Sequence, residues 1–184
     1  KELEKKWNAE RIDQPLYADH DHPINFNVGK IQGGDWASSV PSWCVFDLRV
    51  AVYPDDDLNS RRAELEACIR DAASQDAFLR NAPPQVKYNG FLAEGYVLKD
   101  ADEAENALGW AHQEAYGQEL RAEVTTATTD ARFFGLYADT PGLVYGPLSD
   151  GIHGFDERVS LESVRQNTQA IALFVAEWCG LVVK

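Results

Sequence analysis

The sequence predicts an α+β fold in two parts: an antiparallel sheet with helices, followed by an α/β region. Two stretches, 24–34 and 42–53, alternate apolar and polar residues with the period of a half-buried strand, and an amphipathic helical stretch follows at 54–73. From about residue 93 onward, helical stretches alternate with short apolar segments, which is typical of an α/β layout. We therefore expect an N-terminal domain at 1–94 and a C-terminal domain at 95–184.

The first part contains the elements of a ferredoxin-like sheet. Residues 1–8 have a helical composition, and the two predicted strands form an antiparallel hairpin through 33–42. The even positions of the second strand are all apolar: Cys44, Phe46, Leu48, Val50 and Val52. The acidic run at 55–57 favours a helix N-terminus, because negative charge is stabilised there. With a further extended segment at 83–91, the order fits βαββαβ with its first strand missing.

The second part is predicted to alternate helices with short strands. A helix at 101–116 ends at Gly117, a β-branched strand follows at 122–129, and Asp130 is the expected N-cap of a short helix. A buried strand is expected at 142–146. The last helix is predicted to run from the N-cap Ser160 to Gly180, with one apolar stripe formed by Leu161, Val164, Thr168, Ile171, Val175 and Trp178.

Charge and hydropathy exclude several classes of protein. A formal net charge of −13 argues against nucleic-acid and anionic-membrane partners, because both would repel the chain. The longest apolar run, 170–183, is broken by Glu177 and is too short to span a bilayer. The first residues have no apolar core typical of a signal peptide. The sequence therefore predicts a soluble protein.

The cysteine and methionine content adds two expectations. Three cysteines without CxxC spacing fit neither a disulfide framework nor a zinc knuckle, so Cys44 and Cys179 are predicted to be buried free thiols in a reducing, cytoplasmic compartment. The sequence contains no methionine. Lys1 is therefore not an ordinary translation start, and we expect the chain to be incomplete.

His153 is the main candidate for chemistry. It lies in the loop "SDGIHGFDERV" after a predicted strand, where α/β proteins place functional groups. As a metal ligand, its second nitrogen would be held by Asp156 or Glu157. The alternative is a polar loop histidine that caps the final helix. One histidine is not a complete site, because catalytic zinc takes about three protein ligands.

Three other residues are weaker candidates. Arg132, at the start of the predicted helix 130–137, can pair with a substrate carboxylate or can form an ordinary ion pair. His20 and His22 have the H-x-H spacing of a metal pair, but the segment is predicted to be a loop. The chain has no G-x-S-x-G, Walker or dinucleotide motif.

Three stretches together resemble the di-zinc amidohydrolases of the aminoacylase, acetylornithine deacetylase and succinyl-diaminopimelate desuccinylase family. "VGKIQGGDWASSVPSWCVFDLRV" resembles the hairpin of the family's lid domain. "TTDARFF" resembles its substrate-carboxylate segment, and "VYGPLSDGIHGFDERVSLESV" resembles its closing metal-ligand loop and terminal helix. The resemblance covers essentially the whole chain, but only the C-terminal part of the family. It implies a lid joined to part of an α/β zinc-hydrolase catalytic domain.

The resemblance also assigns roles to single residues. His153 matches the final metal ligand, and Arg132 matches the arginine that pairs with the substrate carboxylate. Ser38 stands where relatives often carry an asparagine that reaches the partner subunit's site, while Gly151 and Ile152 would line the pocket. The family's H-x-D motif, bridging Asp, paired Glu residues and lid histidine all precede this region and are not found here.

The resemblance thus implies the C-terminal part of a zinc-dependent hydrolase that cleaves an N-acyl amino acid or a related small amide. Two zinc ions per complete site are expected, with Co²⁺ as the alternative, and the general base is expected upstream, so this chain alone is expected to be inactive. A homodimer through the lid is implied. The alternatives are a non-catalytic dimerisation module and a carboxypeptidase-type member that acts on peptides.

Overall fold

The computed structural model describes residues 1–181, so the last three residues of the predicted domain 95–184 lie outside the described residues. The chain forms two compact units. The first comprises Lys1–Gly95 with Val124–Thr128, and the second comprises Tyr96–Glu123 with the chain from Thr129 onward. Within residues 1–181 there are five α-helices, one 3-10 turn and two small antiparallel sheets. The α+β character that the sequence predicts is confirmed.

The elements follow in chain order. The first unit contains α1 (Glu2–Ala9), a 3-10 turn (Pro15–Tyr17), β1 (Phe26–Gly33), β2 (Cys44–Val50) and α2 (Leu58–Gln75). The second unit contains α3 (Asp102–Tyr116), α4 (Ala131–Tyr137), β3 (Ser149–Asp150), β4 (Arg158–Val159) and α5 (Leu161–Cys179).

The predicted hairpin is confirmed. β1 and β2 pair antiparallel from Phe26 opposite Val50 to Gly33 opposite Cys44, with an irregularity between Val28 and Lys30. The turn depends on glycine, because a Cβ at Gly33 would lie 2.6 Å from the carbonyl oxygen of Trp43. These are the only two strands of their sheet within residues 1–181, so each has one outer edge with no strand beside it.

The core of the first unit joins α1 to the base of the hairpin. Trp7 and Phe26 are buried and meet edge to face, with ring centroids 5.1 Å apart. Ile24 and Tyr53 complete the buried cluster, and the partly buried side chains around it are Leu3, Tyr17, Leu48, Val50, Ala51, Val52 and Leu65. Of the even positions of β2, only Leu48 and Val50 pack against this core, so Cys44 and Phe46 remain exposed.

An ion-pair network closes the same core. The Arg61 guanidinium lies 4.7 Å from the Trp7 ring and donates to Asp56 through Nε at 2.9 Å. Arg11 also donates to Asp56, whose side chain is only 4% exposed. Two cations around one buried carboxylate satisfy a charge that would otherwise be costly in the core.

The predicted caps of the long helices are present. The Asp57 side chain accepts a hydrogen bond from Ser60 N at 2.9 Å, and that of Ser160 accepts one from Ser163 N at 3.2 Å. Gly117 ends α3 with φ 69°. Asp130 occupies the N-cap position of α4, but its side chain makes no capping hydrogen bond.

In the second unit, α3 packs against α5 through small residues. Ala111 and Ala170 are completely buried, and Tyr116 Oη donates to the carbonyl of Ser163 at 2.9 Å. Gly135 of α4 contacts Tyr96 closely, since a Cβ there would overlap the ring. The Tyr96 hydroxyl accepts a hydrogen bond from Gly142 N at 3.0 Å.

Three predicted strands are wrong. Residues 83–91, 122–129 and 142–146 are not strands, so within residues 1–181 the ferredoxin-like sheet is reduced to two strands and the α/β alternation of the second part is not seen. A strand requires a neighbour to complete its hydrogen bonds. Tyr88 instead packs on α2, where its hydroxyl donates to Glu66 at 3.1 Å.

The prediction of buried cysteines is also wrong. Cys44, Cys68 and Cys179 are all exposed free thiols. Cys44 begins β2 at the uncovered end of the hairpin, which is why its apolar pattern did not lead to burial. Among the described helices, none combines the length and the hydropathy needed to cross a bilayer.

Candidate functional site

His153 lies at the tip of the small hairpin of the second unit. β3 and β4 pair Ser149 with Val159 and Asp150 with Arg158. The intervening loop turns sharply at Gly151, which has φ 65° and whose carbonyl accepts a hydrogen bond from Gly154 N at 2.7 Å. The base of the hairpin is held by Arg158, whose Nε and Nη2 both donate to Asp150, at 3.0 and 2.6 Å.

The backbone of His153 is strained, and its side chain is exposed. Its φ of 62° lies in the left-handed region, which costs a non-glycine residue about 1–2 kcal/mol. Such conformations cluster at functional sites, where the surrounding structure enforces them. Neither Asp156 nor Glu157 holds its imidazole, which has no hydrogen bond to the described part of the chain. Ser160 rather than His153 caps α5.

The residues around His153 do not by themselves fit a metal ion. Within residues 1–181, no three or more histidine, cysteine or acidic side chains gather where they could hold one. Ile152 is 63% exposed beside His153, and Phe155 is fully exposed. The loop therefore presents one imidazole on an apolar, accessible surface.

Arg132 is buried at the start of α4. The residue is only 4% exposed, and its guanidinium lies 4.1 Å from the centroid of the Phe133 ring. Stacking of this kind suits the planar guanidinium and fixes its orientation. Arg132 is therefore a buried residue of α4 and not an exposed surface cation.

Ser38 lies in the exposed turn between β1 and β2, in the first unit. The neighbouring Ser39 donates through both N and Oγ to the carbonyl of Trp36, at 3.1 and 3.0 Å. The indole Nε1 of Trp43 donates to Asp35 at 2.9 Å. These bonds order the turn that presents the Ser38 hydroxyl. Gly151, Arg132 and His153 belong to the second unit.

A cluster of His112, Tyr116 and Tyr145 in the second unit was not predicted from the sequence. His112 Nδ1 and Tyr145 Oη are 2.7 Å apart, and the His112 ring stacks on Tyr116 with 4.3 Å between centroids. Burial lowers the pKa of His112. Burial, together with Tyr116, raises the pKa of Tyr145 to about 12. The i, i+4 spacing of His112 and Tyr116 on α3 could have indicated that their rings are neighbours. Tyr145 could not be included, because it is 33 residues from His112 in the sequence.

The His112 cluster predicts a pH dependence of stability. Because the pKa of His112 is lower in the folded than in the unfolded chain, the unfolded chain binds more protons as the pH falls below about 6.5. Stability is therefore expected to fall with pH from about 6.5 down to the folded pKa. Urea unfolding at several pH values should show a smaller loss for His112→Phe than for the wild type. His153→Phe is the control and should retain the wild-type dependence; an identical dependence in His112→Phe would contradict the prediction.

Both parts of the chain are similar to known proteins. Residues 1–77 match the peptidase dimerisation domain of the M20 type. The chain is 23% identical over 190 residues to the N-formyl-4-amino-5-aminomethyl-2-methylpyrimidine deformylase of Halalkalibacterium halodurans, and 27% identical over 189 residues to the protein of that name from Bacillus subtilis. These alignments cover 98% and 97% of the chain, which spans only 43% of the length of each relative.

Proposed function

Because residues 1–77 match the M20-type peptidase dimerisation domain, we propose that the complete protein is a hydrolase that cleaves the amide bond of a small N-formyl or N-acyl amine. The observation that carries the proposal is the similarity to two deformylases along 97–98% of the chain. It extends well beyond the dimerisation domain, into the region that contains Arg132 and His153. The activity belongs to the complete protein, since the chain spans less than half of either relative.

The proposed site uses the residues that the resemblance assigns. His153 contributes one ligand to a zinc site, with cobalt as the alternative ion, and the remaining ligands come from outside residues 1–181. Its strained, accessible loop supports this role, because strained backbone conformations cluster at functional sites. Gly151 lines the pocket beside it. The Ser38 hydroxyl, in place of the family's asparagine, donates a hydrogen bond in the site of the partner subunit.

The name of the two relatives narrows the choice of substrate. It describes a formyl group on the amine of an aminomethylpyrimidine, a molecule without a carboxylate. We therefore propose an N-formyl amine, rather than an N-acyl amino acid, as the substrate. Both remain substrates of one chemical class, in which hydrolysis of an amide releases an amine and a small carboxylate.

Turnover by the complete protein tests this function. Three substrates should be compared: an N-formylaminomethyl-pyrimidine, an N-acetyl amino acid and a dipeptide. We expect kcat/KM to be highest for the formyl amide. Highest activity on the dipeptide would establish the carboxypeptidase alternative. No turnover of any of the three by a metal-loaded, folded protein would contradict the hydrolase proposal and leave the dimerisation module.

Arg132 gives a second test, which separates substrates with and without a carboxylate. Arg132→Lys keeps the charge but loses the planar fork that pairs with a carboxylate through two hydrogen bonds. If Arg132 anchors a carboxylate, KM should rise about tenfold or more for the N-acetyl amino acid, and little for the formyl amide. Steady-state kinetics on both substrates measure this difference. An equal change in KM on both would exclude the anchoring role.

Homodimerisation is the proposed assembly. The matched domain is a peptidase dimerisation domain, and β1 and β2 each have an outer edge with no strand beside it within the described residues. Apolar side chains are exposed on the same hairpin, including Ile31 at 72% and Phe46 at 55%. Sedimentation velocity of the complete protein should give the mass of a dimer. Phe46→Lys should shift the protein toward the monomer, and a wild-type monomer at all concentrations would refute the assembly.

A further inference from the structure

His20 and His22 belong to one loop, but their imidazoles have different partners. His20 Nε2 lies 2.6 Å from the carbonyl oxygen of Val124, and His22 Nε2 lies 3.2 Å from Oε1 of Glu4 on α1. Among residues 1–181, no group of three or more histidine, cysteine or acidic side chains could hold a metal ion. The H-x-H spacing is therefore not a metal pair, and the contact of each ring has its own meaning.

The partner of His20 belongs to a segment with an unusual place in the chain. Val124–Thr128 is part of the first unit, although the chain before and after it belongs to the second. Val124 is half-buried, and residues 125–128 are exposed and without regular secondary structure. The chain thus leaves the second unit at Val124 and returns to it at Thr129, just before α4.

A hydrogen bond from His20 joins this segment to the rest of the first unit. The carbonyl oxygen of Val124 can only accept, so His20 Nε2 is the donor. The two residues are 104 positions apart, so local structure does not bring them together. Within the segment the hydrogen bond is local, from Ala127 N to Thr125 Oγ1 at 2.9 Å. His20 is therefore placed to fix the segment on the first unit.

The loop that carries His20 is itself held at both ends. On one side, His20 N donates to the carbonyl of Tyr17 at 2.9 Å, and the Tyr17 ring packs on the buried Tyr53 ring with 4.9 Å between centroids. On the other side, the side-chain amide of Asn8 binds both N and O of Ile24, each at 2.9 Å. The imidazole is thus presented from a fixed backbone and can transmit that position to its hydrogen-bond partner.

The start of α4 lacks the support of a side-chain cap. Asp130 occupies the N-cap position but makes no capping hydrogen bond. The carbonyl oxygen of Ala131 lies against Gly142, where a Cβ would be 2.7 Å away, so the helix is fixed from this point onward. An uncapped first turn frays more easily. The conformation of the turn that contains Arg132 therefore depends on the residues that lead from Val124 into the helix.

We propose that His20 is a positioning residue, which holds Val124 on the first unit and thereby keeps the first turn of α4, with Arg132, in one conformation. His20 does not touch the substrate and acts through residues 124–131. The kinetic consequence rests on the proposed function, through contact of Arg132 with a substrate carboxylate. The structural consequence does not depend on it.

Limited proteolysis of the complete protein tests the structural consequence. Elastase cleaves after small uncharged residues, which fill 124–129, and cleavage of a held segment requires local opening. His20→Phe keeps a ring but loses the donor, so cleavage within 124–131 should become about fivefold faster, as expected for the loss of one hydrogen bond. His20→Gln keeps an N–H donor and should restore the wild-type rate. Asp21→Ala, at the next and exposed position, is the matched control and should not change the rate.

Mass spectrometry of the fragments locates the cleavage and decides between the outcomes. Faster cleavage confined to 124–131 in His20→Phe supports the positioning role. An unchanged rate overturns it. An equal increase at sites throughout the first unit also overturns it, because His20 would then support the fold of that unit rather than this segment.

Steady-state kinetics of the complete protein on an N-acetyl amino acid test the link to Arg132. His20→Phe should raise KM about threefold or more with little change in kcat, and His20→Gln should restore it. In an Arg132→Lys background, His20→Phe should have no further effect, since residues that act through one another are not additive. Additive effects, or an unchanged KM in an active His20→Phe, overturn the link. No turnover by the wild type counts against the proposed function alone, and proteolysis still decides the role of His20.

Discussion

His153→Ala is expected to lower the kcat/KM of the complete protein by more than about 100-fold while leaving the chain folded. Removing a residue that hydrogen-bonds to a metal ligand lowers metal affinity or activity about 10–100-fold, and removing the ligand itself should lower activity further. The fold should persist, because the His153 side chain is exposed and makes no hydrogen bond to any described residue. Kinetics together with zinc content by atomic absorption measure the two effects.

Phe155→Ala is the matched control for this prediction. Phe155 is fully exposed two residues further along the same loop, so its truncation changes the loop surface without removing an imidazole. It should retain zinc and most of the activity. Full zinc content with full activity in His153→Ala would exclude the ligand role. A loss of activity without a loss of zinc would move His153 from metal binding to contact with the substrate.

Trp7→Ala is expected to reduce the free energy of unfolding of the first unit by about 3–5 kcal/mol, the cost of truncating a buried aromatic residue. Trp7 is 1% exposed and packs on Phe26. Its indole donates to Glu64 at 3.1 Å, and Arg61 lies over its face. One substitution therefore removes the centre of the core together with a hydrogen bond and a cation–π contact. Urea unfolding followed by circular dichroism measures the loss.

Trp36→Ala isolates the effect of burial from the effect of residue type. Trp36 is 73% exposed, and the hydrogen bonds that it accepts from Ser39 use its backbone carbonyl, which the substitution retains. Its effect should stay within about 0.5 kcal/mol. Equal losses in the two variants would mean that Trp7 does not centre the core.

Local signals predicted the helices and the hairpin. The capping residues Asp57 and Ser160, and Gly117 in the left-handed conformation, act within one helical turn, so their effect can be seen in a short window. The hairpin likewise joins neighbouring segments. The predicted strand at 122–129 failed because β-branched composition permits a strand, but a partner must complete it, and a partner depends on the whole chain.

In the candidate sites, too, features set by neighbouring residues could be predicted, and those set by partners distant in the sequence could not. The sequence predicted that His153 lies on a loop. In the structure its backbone is strained, with φ 62°, and a strained backbone has no signal in a single sequence. His20 and His22 were visible as H-x-H, whereas Val124 and Glu4 lie 104 and 18 residues from the rings that they hold. His112 and Tyr145 were missed for the same reason.

The contact between Gly135 and Tyr96 restricts how this chain can evolve. A side chain at position 135 requires the ring at position 96 to move away or to become smaller, because the two would occupy the same volume. A smaller residue at 96 also removes the hydroxyl that binds Gly142 N. The two positions should therefore covary among homologous sequences: a tyrosine at 96 should occur with glycine at 135.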